Sequence, residues 1–283
     1  MAKRMLFPIN DRNEMIKRVH IKLIVFLFVV VSLTYIGSVF KGYYSLAEEI
    51  VSKPGNFTLY HDTITVIFIG DSWASYHSQY DQHLKTSIET TINKPTKVIS
   101  KGIVGAKTKT IYIKMDDYSL AGTKALIDSS PDYAIISAGI NDAVAKMGTD
   151  NYCHHYNLII KKLLSAGIKP IILDMPQVDY RAVYQRESII AQLRHRISSW
   201  YTGAPLWTFD NYRSALRALI RQDKIKKHLI YIPASEWNPE GYADSRMLYK
   251  EDHVHLNEKG YLLLDSCISS YIYHDMMTTH DSQ

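Results

Sequence analysis

Cysteine is nearly missing from this chain. Cys153 and Cys267 are the only two in 283 residues, so no disulfide framework builds the fold. Thirteen glycines and nine prolines are too few for a collagen-like or low-complexity chain. Only 22% of residues are charged against 46% hydrophobic, which excludes disorder over the whole length. Net charge is also absent from most of the sequence. Of the formal +5, +4 lies in residues 1–22, where Lys3, Arg4, Arg12, Lys17, Arg18 and Lys22 face only Asp11 and Glu14. The remainder carries +1. A nearly neutral body is not a nucleic-acid-binding surface, and nucleic acid is not expected as a partner. The length suits one large domain plus an appendage, and no internal repeat or second domain is visible.

The early basic cluster acquires a meaning from its apolar neighbour. Leu23 to Phe40 is an eighteen-residue run without a charge, LIVFLFVVVSLTYIGSVF. As a helix it covers about 27 Å, close to the thickness of a bilayer's hydrocarbon core. Residues 1–22 then read as a cytoplasmic basic tail and 23–40 as a transmembrane signal anchor. Residues 41–60 hold only Lys41 and Lys53 as basic groups, so everything after Phe40 is expected outside the cytoplasm, periplasmic or extracellular. A cleaved signal peptide is the rival reading, with Ser45-Leu46-Ala47 as the cleavage site. The long leading segment favours the uncleaved anchor. Residues 41–62 form the expected linker, with a turn signal at Lys53-Pro54-Gly55-Asn56 and a glycosylation sequon at Asn56-Phe57-Thr58.

Residues 63–283 alternate between short β-rich runs and helical stretches. Strands are expected at Thr63–Ile69, Thr96–Ser100, Tyr133–Ser137, Lys169–Asp174 and Leu229–Ile232. Their faces are apolar on both sides, as in a buried parallel sheet. Helices are expected at Tyr80–Ile92, Ala121–Ser129, Tyr152–Ala166, Ala182–Trp200, Asp210–Lys224 and Asn257–Tyr273. Gly167 is placed to cap the third of these, and Asn257 to open the last. The alternation predicts an α/β fold, a three-layer α/β/α sandwich around a parallel sheet. Trp200–Lys227 is long for a simple crossover and reads as an insertion near the site.

Ligands of open parallel sheets bind beyond the carboxyl ends of the strands. Three expected strands run there into polar blocks: Gly70-Asp71-Ser72-Trp73, Ser100-Lys101-Gly102-Ile103-Val104-Gly105, and Gly139-Ile140-Asn141-Asp142. A fourth block, Asp252-His253-Val254-His255, precedes the final helix. A serine hydroxyl needs a neighbouring base to act as a nucleophile. Histidine supplies one, and a carboxylate fixes its tautomer. Ser72, His255 and Asp252 are therefore the candidate nucleophile, base and orienting acid. The backbone N–H groups of Ser72 and Gly105, with the Asn141 side chain, are candidate oxyanion donors.

These four blocks, in this order and at this spacing, resemble those of the SGNH, or GDSL-type, hydrolase family of esterases, lipases, thioesterases and carbohydrate acetylesterases. The resemblance covers roughly residues 63–274. It implies a flavodoxin-like sheet, Ser72 as nucleophile, Asn141 as oxyanion donor, and no metal or cofactor. Two positions depart from the family pattern: Trp73 stands where leucine is common, and Ser100 where asparagine is frequent.

Other readings of the same residues compete. Ser72 alone could cap a helix. Asn141 and Asp142 could be turn residues. Asp71, Gly139 and Asp142 are supporting residues, the two aspartates anchoring loops by local hydrogen bonds. His253 competes with His255 for the base, but only His255 has the Asp-x-x-His spacing. Asp252, His253 and His255, joined by His154 and His155, could form a metal cluster, yet Asp252 and His255 are explained without one. Gly102–Thr108 lacks the spacing of a phosphate-binding loop. Cys153 and Cys267 could pair or stay as buried thiols.

The resulting expectation is a serine esterase acting on an acylated carbohydrate or another ester, removing acetyl or a similarly small acyl group. The alternative is an O-acyltransferase modifying a cell-envelope polysaccharide, working with a membrane-bound acyltransferase. A non-catalytic carbohydrate-binding or assembly protein on the same scaffold is the third reading.

Overall fold

The computed structural model describes residues 9–49, 62–178, 180–238 and 247–280, with side chains from residue 17 onward except at 223, 279 and 280. The Lys53–Asn56 turn signal and the Asn56-Phe57-Thr58 sequon lie outside these residues. The chain divides into two units, residues 1–45 and 46–283.

The first unit is one helix, α1 (Ile9–Tyr44). From Lys17 to Tyr44 it is long and apolar enough to cross a membrane. Its apolar side chains, Phe26 and Phe28 among them, are exposed. Thr34 and Ser38 return their hydroxyls to the carbonyls of Val30 and Tyr35, so neither leaves an unsatisfied group on an apolar surface. The helix includes Lys41 to Tyr44, the first part of the expected linker.

The second unit is built on five parallel strands, β1 (Ile64–Gly70), β2 (Thr96–Gly102), β3 (Tyr133–Ser137), β4 (Lys169–Leu173) and β5 (Ile230–Ile232). They lie in the order β2-β1-β3-β4-β5. All five fall where the sequence places them. β3 is buried at every position and β1 at all but one, the consequence of Val, Ile and Phe pointing to both faces. The order means that β1 leads outward to β2 and the chain then crosses back over β1 to β3. Right-handed crossovers put the helices after β1 on one face and those after β2, β3 and β4 on the other. Accordingly α3 (Asp81–Ile92) packs with α12 (Glu258–His280), while α4 (Thr108–Lys114) and α10 (Asp210–Ile220) pack with α7 (Thr149–Ser165). The fold is the expected three-layer sandwich.

Local signals explain the helix ends. Gly167 has φ +75°, and the Gly167 and Ile168 N–H groups bond the carbonyls of Leu164 and Leu163, a Schellman cap on α7. Asn257 accepts from the Gly260 N–H at 3.0 Å and opens α12. The helix expected over Ala182–Trp200 is two, α8 (Tyr180–Arg186) and α9 (Ile189–Thr202). Ser188 divides them, because its extended backbone ends one helix and its hydroxyl accepts from the Ala191 N–H to start the next. Trp200–Lys227 is part of the β4–β5 crossover, carrying α10 and α11 (Asp223–Lys226). Three short helices are not among those expected from the sequence: α2 (Ser72–His77), α4 and α6 (Ile140–Val144). Each starts within a few residues of a strand end and is too short to show a hydrophobic period.

The second unit is entered through a pinned segment. The Ala47 N–H donates to His155 Nε2 at 3.0 Å, and the Ala47 carbonyl accepts from His154 Nε2 at 2.8 Å. Glu48 accepts from the Tyr112 hydroxyl, and Glu49 pairs with Lys161. His155 also donates from Nδ1 to Asn151; burial pushes its pKa down to about 4, which suits a neutral ring with both nitrogens used. His154 and His155 thus hold residue 47 and stand apart from the Asp252–His255 block. Both cysteines are unpaired thiols.

Candidate active site

β1 ends in Gly70, whose neighbour Asp71 caps α2 by accepting from the Trp73 N–H at 3.0 Å. Ser72 is therefore the first residue of the helix and not its cap. The second block is drawn against this turn: the Ile103 N–H bonds the Gly70 carbonyl, and a Cβ on Gly102 would lie 2.0 Å from the Asp71 carbonyl oxygen. Only glycine allows that approach. β3 feeds α6 through Gly139, at φ +120°, where a Cβ would meet Met175 at 2.7 Å. Asn141 on α6 donates from Nδ2 to the Ala106 carbonyl at 3.0 Å. A primary amide has two N–H bonds, so one is spent joining the second and third blocks.

The fourth block folds as one tight turn. Asp252 Oδ1 accepts from the Val254 and His255 N–H groups, both at 2.9 Å. The turn is completed by His253 at φ +61°. Asp252 Oδ2 lies 2.6 Å from His255 Nδ1, and His255 Nε2 lies 2.8 Å from Ser72 Oγ. Burial opposes ionisation of Asp252, but the His255 backbone and ring and the Val254 N–H outweigh it and hold the pKa below the usual carboxylate value. An ionised carboxylate fixes the proton on Nδ1, which leaves the Nε2 lone pair facing the serine hydroxyl. That is the arrangement general-base activation of a serine requires. His255, not His253, is the ring the fold brings to Ser72.

Asp71 and Asp142 act below the surface. Asp142 accepts from the Thr108 N–H at 3.0 Å and its hydroxyl at 2.7 Å, tying α6 to α4. Asp71 also accepts from the Ser137 hydroxyl at 3.1 Å. Burial pushes Asp71 up to about 7 and Asp142 up to about 6, against these hydrogen bonds. Folded Asp71 thus keeps its proton at pH values where an unfolded carboxyl has lost it. The native state binds more protons across that window, so the stability tied to the protonated form is full below about pH 4 and is lost as the pH rises through 7. Asp71→Asn keeps an acceptor and cannot ionise. Its melting temperature relative to the parent should rise steadily from pH 4 to pH 8, by an amount reflecting a few kcal/mol at most. A difference that stays constant would mean Asp71 does not titrate in this window.

Several residues of the site carry no role in the four sequence blocks. Trp73, one of the two family departures, donates from Nε1 to the Val254 carbonyl at 3.1 Å, binding the serine block to the histidine block. Its indole packs edge-on against Trp237 and Tyr249. Tyr76 sits one helical turn after Ser72, and its ring meets His255 edge-on at 4.8 Å. Lys250 lies over the Tyr76 ring at 4.5 Å. The i, i+4 spacing from Ser72 was the available signal for Tyr76. Ser100, the other departure, bonds His77 Nδ1 at 2.7 Å, and His77 Nε2 reaches Asp265 on α12 at 2.7 Å. Among the described residues no group of three or more His, Cys, Asp or Glu side chains is arranged to hold a metal.

A family model for the GDSL-like lipase/acylhydrolase family matches residues 67–263. Among solved structures, the lipase/acylhydrolase from Enterococcus faecalis is similar in fold at a TM-score of 0.55 and 17% identity, covering 75% of this chain and 96% of that one. A lipase from a goat rumen metagenome is similar at 0.51 and 12% identity, covering 74% and 98%. No curated protein matches the chain. The matched segment runs from within β1 into α12 and takes in the second half of β1, the other four strands and all four blocks, so the chain belongs to the GDSL-like lipase/acylhydrolase family of ester hydrolases.

Proposed function

We propose that the protein is an extracytoplasmic serine esterase that removes acetyl or another small acyl group from a carbohydrate, anchored in a membrane through residues 23–40. The observation that carries this reading is the hydrogen-bonded line Ser72 Oγ–His255 Nε2 (2.8 Å) and His255 Nδ1–Asp252 Oδ2 (2.6 Å). His255 takes the Ser72 proton as Oγ bonds to the ester carbonyl carbon. The carbonyl oxygen becomes an oxyanion, held by the Ser72 and Gly105 N–H groups and the second N–H of Asn141. Ser72 supplies a first-turn helical N–H without an intrahelical acceptor. Collapse breaks the ester C–O bond, and the alcohol leaves with the proton from His255. Water, deprotonated by the same ring, then releases the acid and restores Ser72.

One feature supports the substrate class. A cleft of about 440 Å³ beyond the end of β4, lined by Tyr180, Arg181, Trp207 and Arg213 among others, offers the aromatic and hydrogen-bonding surface a sugar needs. Water is the acceptor in this reading because the family is one of ester hydrolases. The cationic tail preceding the apolar run supports an N-terminus in the cytoplasm.

Trapping the full chain with a serine-directed phosphonate and locating the adduct by mass spectrometry tests the nucleophile. The adduct is expected at Ser72; one on another residue refutes the reading. Incubation with an acetylated sugar, with and without an acceptor glycan, tests the acceptor. Release of acetate is expected in both. Transfer in preference to release would make the protein an O-acyltransferase. Trp73→Phe keeps the ring but loses the donor to Val254. A hydrogen bond of about 1 kcal/mol is removed from the link holding His255. The expected result is up to about a tenfold fall in kcat on a soluble ester, with KM nearly unchanged. A fall confined to KM would assign Trp73 to substrate contact instead.

A further inference from the structure

Helix α9 is inside out. Its outward residues are Ile189, Ile190, Leu193, Ile197, Trp200 and Tyr201, between 46% and 84% exposed. Its inward face is polar: His195 and Ser198 are buried, Gln192 donates to the Tyr184 and Glu187 carbonyls, and Thr202 donates to the Lys146 carbonyl. At 100° per residue the six apolar positions occupy an arc of about 120°. Arg194 and Arg196, both exposed, fall just outside its two edges. An apolar arc of this width in a soluble surface helix normally faces the core. Here it faces away.

From this geometry we propose that the apolar face of α9 lies in the interfacial layer of a phospholipid bilayer, with Arg194 and Arg196 reaching anionic headgroups. The pattern is that of an interfacial helix: an apolar face, cationic flanks, and aromatic residues at one end. The location agrees. Ala47, the second residue of this unit, is pinned to α7. Thr202, at the end of α9, bonds Lys146 at 2.9 Å, just before α7 begins. From Thr149 to His154, where Ala47 is held, is about 8 Å along α7. The chain therefore enters the domain beside the aromatic end of α9. The proposal rests on the reading that α1 crosses a bilayer.

The test uses the full chain with Cys153 and Cys267 replaced by serine, reconstituted in vesicles of phosphatidylethanolamine and phosphatidylglycerol. Nitroxide labels are placed singly at Leu193→Cys, Ile197→Cys and, as a control on the opposite face of the sheet, Thr86→Cys. Hydrolysis of a soluble ester reports that each variant is folded. Labels at 193 and 197 are expected to lose broadening by a water-soluble nickel complex and to gain broadening by oxygen, while the label at 86 stays open to nickel. Vesicles that float in carbonate with the chain attached, yet leave 193 and 197 open to nickel, overturn the proposal and spare the anchor. Failure to float overturns both. Protection that persists in detergent and depends on protein concentration assigns the face to a second copy and overturns the lipid assignment. Protection found in native membranes but not in these vesicles assigns it to a protein partner, and overturns it likewise.

Discussion

Ser72→Ala is expected to reduce ester hydrolysis by at least about a thousandfold in kcat and to abolish the phosphonate adduct. The fold should survive. Ser72 is the first residue of α2, and the helix is capped by Asp71, whose Oδ1 receives the Trp73 N–H independently of the Ser72 hydroxyl. The hydroxyl makes one described contact with a side chain, to His255 at 2.8 Å. Losing it leaves the Asp252–His255 pair intact, so melting should shift by no more than about 1 kcal/mol of stability. Oxyanion donors and substrate contacts remain in the variant, so hydrolysis should still exceed that in water alone. Activity retained within tenfold would mean that water attacks the ester directly and that no acyl-enzyme forms.

The way the site is made explains why so many of its residues can be read from the sequence. The central strands β1, β3 and β4 were legible because apolar residues fill both faces, and the carboxyl end of each strand marks where a ligand goes. Asp252 and His255 were legible because three residues of separation allow a single turn, and that turn is what the Asp252 Oδ1 bonds to Val254 and His255 create. The His253 backbone at φ +61° completes it, a strain the sequence does not advertise.

What was not legible is the set of contacts that join the blocks. Nothing local in the sequence connects Trp73 to Val254, or His77 to Asp265, because both pairs are more than 180 positions apart. The two family departures turn out to sit in those joints. Trp73 supplies an indole N–H to the histidine turn, and Ser100 supplies a hydroxyl to His77. Burial opposes a charge on His77, yet Asp265 and Asp81 outweigh it and raise its pKa, so the joint between α2, β2 and α12 is electrostatic as well as apolar. The polar inward face of α9 was hidden for a different reason. Apolar residues at helical spacing read as core unless something states which way they point, and here the core lies on the other side.

The two histidines of the Asp252–His255 turn separate by function most sharply when each is removed alone. His255→Ala is expected to cost at least about a thousandfold in kcat on a soluble ester, since Ser72 would lose the acceptor for its proton while Asp252 would lose the ring it orients. Asp252→Asn should approach that loss, because an amide can donate to Nδ1 and stabilise the wrong tautomer. His253→Ala should stay within a few-fold of the parent: the ring that faces Ser72 is His255, and the His253 backbone shapes the turn through φ +61° and the N–H bond to the Lys250 carbonyl at 3.0 Å. Glycine at 253 accepts that backbone without strain, so His253→Gly should fold at least as well as His253→Ala and be equally active. The comparison is one of kcat/KM on a common substrate across the four variants. Equal losses at 253 and 255 would break the assignment of the base, because two rings of which only one faces Ser72 cannot then differ in their work.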